Sequence, residues 1–353
     1  MQVTFDGFWW ADGPLANRTV QRELVLAWAD AFPQDDLTVA LRHGAPADDL
    51  PAHASIVRTR LWPHGLSNGA ELGVLARRQG ADLVIAHNYT ARHPRAVTFV
   101  HDAMFGDHPE WFSRPERVYF ARMLPGLRRA RLTVTSTATE ARRIERLAPH
   151  SAPVADIGLA VSTALVGADA VRPPDVPDDF ALTVGRLNVR KNLEAVIRAA
   201  VASTSVTPSS PLLVVGSGEH SGVGANLPDQ VRQHVAEGSV RFLGRIADAE
   251  LAWLYTHAAV TLCLSLDEGF GLPALEAVQF GSPAVVSDIP VFAETVGRYA
   301  RLVDPRADAA VLATTLDSAW GHHPDPAVRD RILARYSWRR SVERLREAVA
   351  PLV

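Results

Sequence analysis

Two short segments in the second half of the chain concentrate side chains suited to holding a phosphorylated sugar. The first, Asp267-Glu268-Gly269-Phe270-Gly271-Leu272-Pro273-Ala274-Leu275-Glu276, follows the apolar run Val260 to Leu264. Pro273 suits the first turn of a helix, so Gly269 and Gly271 fall in a strand-to-helix turn. Such a turn presents backbone N–H groups at the positive end of a helix, where phosphate binds. Glu268 on the loop and Glu276 in the helix can then reach one site, and each carboxylate can accept charge-assisted hydrogen bonds from sugar or ribose hydroxyls, at about 1.5–3 kcal/mol apiece. The second segment, Val184-Gly185-Arg186-Leu187-Asn188-Val189-Arg190-Lys191-Asn192-Leu193, also follows an apolar run. Arg186 and Lys191 would project at the carboxyl end of a strand, where they can neutralise a diphosphate and the charge growing on a leaving group.

Composition sharpens that reading. The 36 basic residues are 35 arginines and the single lysine Lys191. A lysine kept against such a bias marks a place where a compact point charge serves better than a planar fork. Cys263, the only cysteine, lies inside an apolar run, which excludes a disulfide framework and a cysteine-based metal site. No Asp-x-Asp triplet occurs, so no paired-aspartate cation site is expected, and no metal or other cofactor is. The segment His101, Asp102, Asp107, His108 has the residue types of a metal site at mixed spacings; an ordinary hydrogen-bonded histidine is the simpler reading. A net charge of -3 gives no footprint for nucleic acid.

These loops need strands and helices to position them. Apolar runs rich in Val, Ile, Leu and Thr alternate with stretches of helical periodicity, the signature of parallel sheets covered by helices. In the first half the spacing predicts strands at 3–6, 37–41, 82–86, 96–100, 132–135 and 154–157, with helices at 17–32, 70–79, 115–128 and 137–148. The second half predicts strands at 181–184, 212–215, 240–243, 260–264 and 284–286. A proline-bearing polar linker with Pro173, Pro174 and Pro177 separates the halves. The expectation is an α/β protein of two doubly wound, Rossmann-like domains, 1–170 and 171–337, facing a central cleft. An amphipathic helix at 338–353 would follow, with a crossing back to the first domain as one course for it. No leader or membrane-spanning run is evident, so the expected location is the cytoplasm. The arginine-rich segment Arg114–Arg131 reads either as a packed helix or as a basic amphipathic one, peripheral at the inner face of the cell membrane.

The ordered set Arg186 and Lys191, then Gly216-Ser217-Gly218, Phe242-Leu243-Gly244, and Glu268 separated by seven residues from Glu276, resembles the nucleotide-sugar domain of retaining glycosyltransferases of family 4, which have the GT-B fold. His101-Asp102 and Thr135-Ser136-Thr137 extend the likeness more weakly into the first half. The resemblance implies that Arg186 and Lys191 hold the donor diphosphate and that Glu276 binds ribose. Glu268 with Gly269, Phe270, Gly271 and Leu272 would contact the donor sugar, and His101 would approach that sugar from the first domain. The base would lie near Gly244, Arg245 and Ile246. Relatives often carry a glycine pair after the first strand, where this chain has Gly7-Phe8-Trp9-Trp10. The implied activity is metal-independent, retaining transfer of a hexose, with mannose as first guess, from a nucleotide diphosphate sugar to a hydroxyl acceptor such as a glycan or lipid-linked saccharide. A sugar-nucleotide epimerase, a phosphorylase on the same fold and a non-catalytic nucleotide-sugar-binding protein are the alternatives.

Overall fold

A computed structural model describes residues 1–216 and 229–353. The chain divides into two compact units, one built from Met1–Pro109, Arg114–Leu159 and Tyr336–Val353, the other from Glu110–Ser113 and Ala160–Arg335. Each unit is a parallel sheet with helical connections, the arrangement that alternating apolar runs and amphipathic stretches require.

The first unit contains β1 (Gln2–Gly7), β2 (Asp36–Arg42), β3 (Ser55–Thr59), β4 (Leu83–His87), β5 (Ala96–Phe99), β6 (Leu132–Thr135) and β7 (Val154–Asp156). Their order is β3-β2-β1-β4-β5-β6-β7, every neighbour parallel. Strands β4, β5 and β6 are buried along their whole length and read as continuous apolar or threonine-bearing runs. Strand β3 escapes the sequence reading because it is an edge strand: Ser55, Ile56 and Arg58 are exposed, so no continuous apolar run announces it.

The helix Leu15–Ala31 buries Val20, Leu24, Val25 and Trp28, and the Trp28 ring meets Phe5 of β1 edge-on at 5.6 Å. Over it lies the last long helix, Trp338–Val349, which buries Trp338, Val342, Leu345 and Val349 on one stripe. Asp35, buried after the first helix, accepts from the N-terminal ammonium at 3.1 Å, from Trp28 Nε1 at 3.1 Å and from Arg346 of the last helix. Tertiary packing thus places the C-terminal helix in the first unit.

The expected single helix at 115–128 is corrected by the structure. A helix Arg114–Phe120 stops, and a short turn Met123–Gly126 and the 3-10 turn Leu127–Arg129 follow. Pro125 has no N–H to give the carbonyl of Ala121, so the helix cannot run through. Met123 and Leu127 are buried beside Tyr89, Val100 and Ile144, with Tyr119, Phe120 and Leu124 packed against them. The helix Arg114–Phe120 itself buries no residue fully: Tyr119 and Phe120 are half-buried, while Val118 is 76% exposed.

The second unit contains β8 (Ala181–Val184), β9 (Leu212–Val215), β10 (Val240–Gly244), β11 (Val260–Cys263), β12 (Ala284–Ser287) and β13 (Arg301–Val303), in the parallel order β10-β9-β8-β11-β12-β13. Its core joins Leu212, Val214, Val260, Leu262 and Val285 of the sheet to Val196, Ala200, Leu312 and Leu316 of the helices Leu193–Ala202 and Ala309–Ala319. Edge strand β13, with Arg301 and Leu302 exposed, is again one that apolar runs do not reveal. The order of connection reverses between β8 and β11. At such a switch point the loops after the two strands diverge and leave a crevice at their carboxyl ends, where ligands bind in open α/β sheets.

Candidate functional site

Both chemistry-bearing segments emerge at the β8/β11 switch point. After β8, Asn188 caps the 3-10 turn Val189–Lys191 by accepting from the Lys191 N–H at 3.1 Å. Asn192 then takes a left-handed conformation at φ 51°, and its Nδ2 donates to the carbonyls of Leu264 at 3.0 Å and Pro305 at 3.1 Å. The basic loop is thereby tied to the loop after β11, a connection strengthened by Leu266 N donating to the Arg190 carbonyl at 2.8 Å.

After β11, Gly271 has φ +86°, and an added Cβ there would lie 2.4 Å from Phe292 Cε1. Only glycine fits the turn that starts the helix Leu272–Phe280, with Pro273 in its first turn. A second constraint operates at Gly216, after β9: at φ +140° an added Cβ would meet the Gly185 carbonyl oxygen at 1.8 Å. The remainder of the motif it opens, Ser217 and Gly218, lies outside the described residues.

The loops place three of the sequence-predicted residues in one pocket, lined among others by Gly185, Arg186, Lys191, Ser265, Glu268 and Phe292. Glu268 is 5% exposed. Its Oε1 accepts from Lys191 Nζ at 2.5 Å and from Ser265 Oγ at 2.7 Å, and its Oε2 accepts from Arg190 Nη1 at 2.5 Å. Burial alone would raise this carboxyl; Arg190 and Lys191 outweigh it and hold the pKa down to about 2, so Glu268 is a carboxylate at any working pH. Gly269, Phe270 and Gly271 are buried beside it and Leu272 is half-buried.

Glu276 sits farther along the helix Leu272–Phe280, half-buried, its Oε2 accepting from Tyr255 Oη at 2.7 Å. Burial raises its carboxyl above the ordinary range, with the Tyr255 hydrogen bond and Lys191 opposing. Tyr255 is itself fully buried, and its hydroxyl is pushed well up for the same reason. Gly244 ends the edge strand β10, which β9 separates from β8, and Arg245 and Ile246 follow it; the Gly244 carbonyl accepts from Gly216 N at 2.8 Å, while Arg245 is exposed.

His101 belongs to the first unit, just past β5. Its Nε2 lies 3.4 Å from His87 Nδ1, and its backbone N–H donates to Asn88 Oδ1 at 3.3 Å. Burial, with His87 and His64 nearby, lowers its pKa well below the ordinary imidazole value, so it is neutral at pH 7. The neighbouring carboxylate of Asp107 is taken by Arg143 Nε at 3.1 Å and Arg146 Nη2 at 2.7 Å. Among the described residues no group of three or more histidine, cysteine, aspartate and glutamate side chains is placed to hold a metal ion.

The sequence reading gave no role to Arg190, Ser265 or Tyr255. Arg190 had a signal, its position beside Lys191 in a loop already marked as basic. Tyr255 had none, because its partner is 21 residues away on another helix. In the first unit, also unforeseen, Asp6 at the end of β1 is 1% exposed. It accepts from His64 Nε2 at 2.8 Å, Asn68 Nδ2 at 2.8 Å, His87 N at 3.0 Å and Phe8 N at 2.9 Å.

Residues 169–322 match the family described as "Glycosyl transferases group 1". The chain is 28% identical over 242 residues to O-antigen chain mannosyltransferase B of Escherichia coli, covering 65% of this chain and 63% of that protein. It is 29% identical over 276 residues to glycogen synthase of Mycobacterium tuberculosis, covering 73% of this chain and 66% of the relative. The matched part of the chain therefore spans just under two thirds of the length of these relatives. Among solved structures, sucrose-phosphate synthase from Thermosynechococcus elongatus superposes with a TM-score of 0.71 at 20% identity, over 100% of this chain and 99% of that one. The two parallel-sheet units accordingly have the GT-B fold.

Proposed function

We propose that the chain is a glycosyltransferase that moves a hexose from a nucleotide diphosphate sugar to a hydroxyl acceptor, with retention at the anomeric carbon and without a metal ion. The observation that carries the reading is the convergence of Arg186, Lys191 and Glu268 on one pocket at the β8/β11 switch point, inside the segment that matches the group 1 family. Arg186 and Lys191 meet the diphosphate; the start of the helix Leu272–Phe280 adds its N–H groups. Glu276 takes the ribose hydroxyls with the carboxylate oxygen that Tyr255 leaves open. Glu268 and the turn from Gly269 to Leu272 face the sugar, and Gly244, Arg245 and Ile246 take the base.

In the transfer, the acceptor oxygen forms a bond to the anomeric carbon while the bond from that carbon to the diphosphate oxygen breaks. The electron pair stays on the phosphate, where the cations stabilise it, and the acceptor's proton passes to the departing oxygen. Attack on the leaving-group side needs no enzymatic nucleophile, and none is evident in the sequence. The likeness to an O-antigen mannosyltransferase supports mannose as the sugar and a glycan or lipid-linked saccharide as acceptor. A cytoplasmic location accords with this reading, and among the described residues no helix is long and apolar enough to cross a membrane.

The test is thermal unfolding with GDP-mannose, GDP, UDP-glucose, UDP, dTDP-glucose and ADP-glucose, each with EDTA. A donor at about 100 times its dissociation constant adds roughly 2.7 kcal/mol to stability. A shift with one nucleotide class in EDTA is the expected result. A shift seen only after adding a divalent cation overturns metal independence, and no shift with any donor overturns the donor site.

A further inference from the structure

Glu268 is a buried anion facing two cations, an arrangement with a consequence for how the pocket would take up its ligand. Lys191 Nζ and Arg190 Nη1 hold different oxygens of the one carboxylate, each at 2.5 Å. The two cations are anchored differently. Arg190 Nη1 also lies 3.3 Å from the Asp267 carbonyl as donor, and the Arg190 carbonyl accepts from Leu266 N at 2.8 Å, so its planar fork is built into the loop after β11. Lys191 is a single ammonium on a flexible stem, able to swing between partners as a fork cannot.

A diphosphate entering the pocket competes with Glu268 for Lys191. If Lys191 were the only cation on Glu268, its departure would leave a buried carboxylate without a counter-charge, a strongly unfavourable state. With Arg190 on Oε2 and Ser265 on Oε1, the carboxylate stays satisfied when Lys191 leaves.

We propose that Arg190 is a positioning residue: it holds Glu268 so that Lys191 is released to the donor's diphosphate. The inference rests on the nucleotide-sugar reading above and goes beyond it in making donor affinity depend on a side chain that acts through Glu268.

The experiment is a double-mutant cycle read by calorimetric titration with GDP and UDP, on wild type, Arg190→Met, Glu268→Gln and the double variant, each first checked for a wild-type circular dichroism spectrum. Methionine keeps the aliphatic stem packed and removes the charge. Arg190→Met is expected to weaken nucleoside diphosphate binding about tenfold, equivalent to about 1.4 kcal/mol. In the Glu268→Gln background, where no buried anion needs a partner, the same substitution should change affinity less than twofold. Equal losses in both backgrounds would mean that Arg190 touches the ligand itself, and no loss in the wild-type background would mean that Lys191 needs no release; either overturns the proposal. Absence of binding to wild type overturns the nucleotide-sugar reading itself, which keeps the two failures distinct.

Discussion

Two replacements of Glu276 separate its effect on binding from its effect on stability: alanine lowers both, glutamine only binding. One of its oxygens accepts from the buried Tyr255 hydroxyl at 2.7 Å, and in the proposed function the other takes ribose. Replacing Glu276 with alanine removes charge-assisted hydrogen bonds to ribose of about 1.5–3 kcal/mol, a loss of roughly ten- to 150-fold in affinity. It also strands the Tyr255 hydroxyl, at a cost of about 1–3 kcal/mol of folding stability. Glutamine keeps an oxygen for Tyr255 and loses only the charge, so affinity should fall by roughly 1 kcal/mol, about fivefold.

Stability of the glutamine variant follows from the sign of the shift. Burial raises the Glu276 carboxyl, so the folded state holds this proton more tightly than the unfolded chain. Ionised Glu276 therefore lowers stability once pH rises above the ordinary glutamate value, and glutamine removes that cost. At pH 7 Glu276→Gln should unfold no earlier than wild type while binding GDP or UDP more weakly. Calorimetric titration and thermal unfolding of both variants supply the two readouts. Unchanged nucleotide affinity in Glu276→Ala would refute the ribose role, and a glutamine variant as unstable as the alanine one would show that the carboxylate serves the fold instead.

Asp6→Ala removes an acceptor from four buried donors and should cost about 3–5 kcal/mol of stability. Urea unfolding followed by tryptophan fluorescence reports it, since Trp9, Trp10, Trp28, Trp62 and Trp338 all lie in the first unit. A loss under about 1 kcal/mol would contradict the network. Burial alone would raise the Asp6 carboxyl, but His64 beside it and the hydrogen bonds from His64 and Asn68 hold it well below the ordinary range. Its contribution is then present above the ordinary aspartate value and is lost as pH falls below it, so the gap between wild type and Asp6→Ala should narrow in acid. Cys263 is buried at the end of β11 and its thiol is pushed up to about 12. A disulfide reagent at pH 8 should leave it unmodified in the folded protein and label it in denaturant; rapid labelling of the native state would contradict that burial.

Read alone, the sequence determined the class of fold and the segments that carry chemistry. Continuous apolar runs such as Leu212–Val215 and Leu83–Ala86 disclose strands because a strand covered on both faces is largely apolar. Gly271 followed by Pro273 disclosed the start of a helix, because left-handed backbone and a missing N–H are local requirements that few residues meet. Edge strands β3 and β13 carried no such mark, since half of an edge strand meets water. Pro125 was visible in the sequence, yet the surrounding helical period masked the break it causes.

Only the tertiary structure decided which charges meet. Glu268 lies 78 residues from Arg190 and 77 from Lys191 along the chain, and their pairing exists because β8 and β11 are neighbours in the sheet. Asp6, His64 and His87 come together for the same reason, around the place where β1 lies beside β4. The return of the helix Trp338–Val349 to the first unit likewise depends on Asp35, Trp28 and Arg346 finding one another in space. Periodicity reports how a residue sits relative to its own element. Strand order sets which loops share a crevice, and it is fixed by packing energy summed over the whole sheet rather than by any local run of residues.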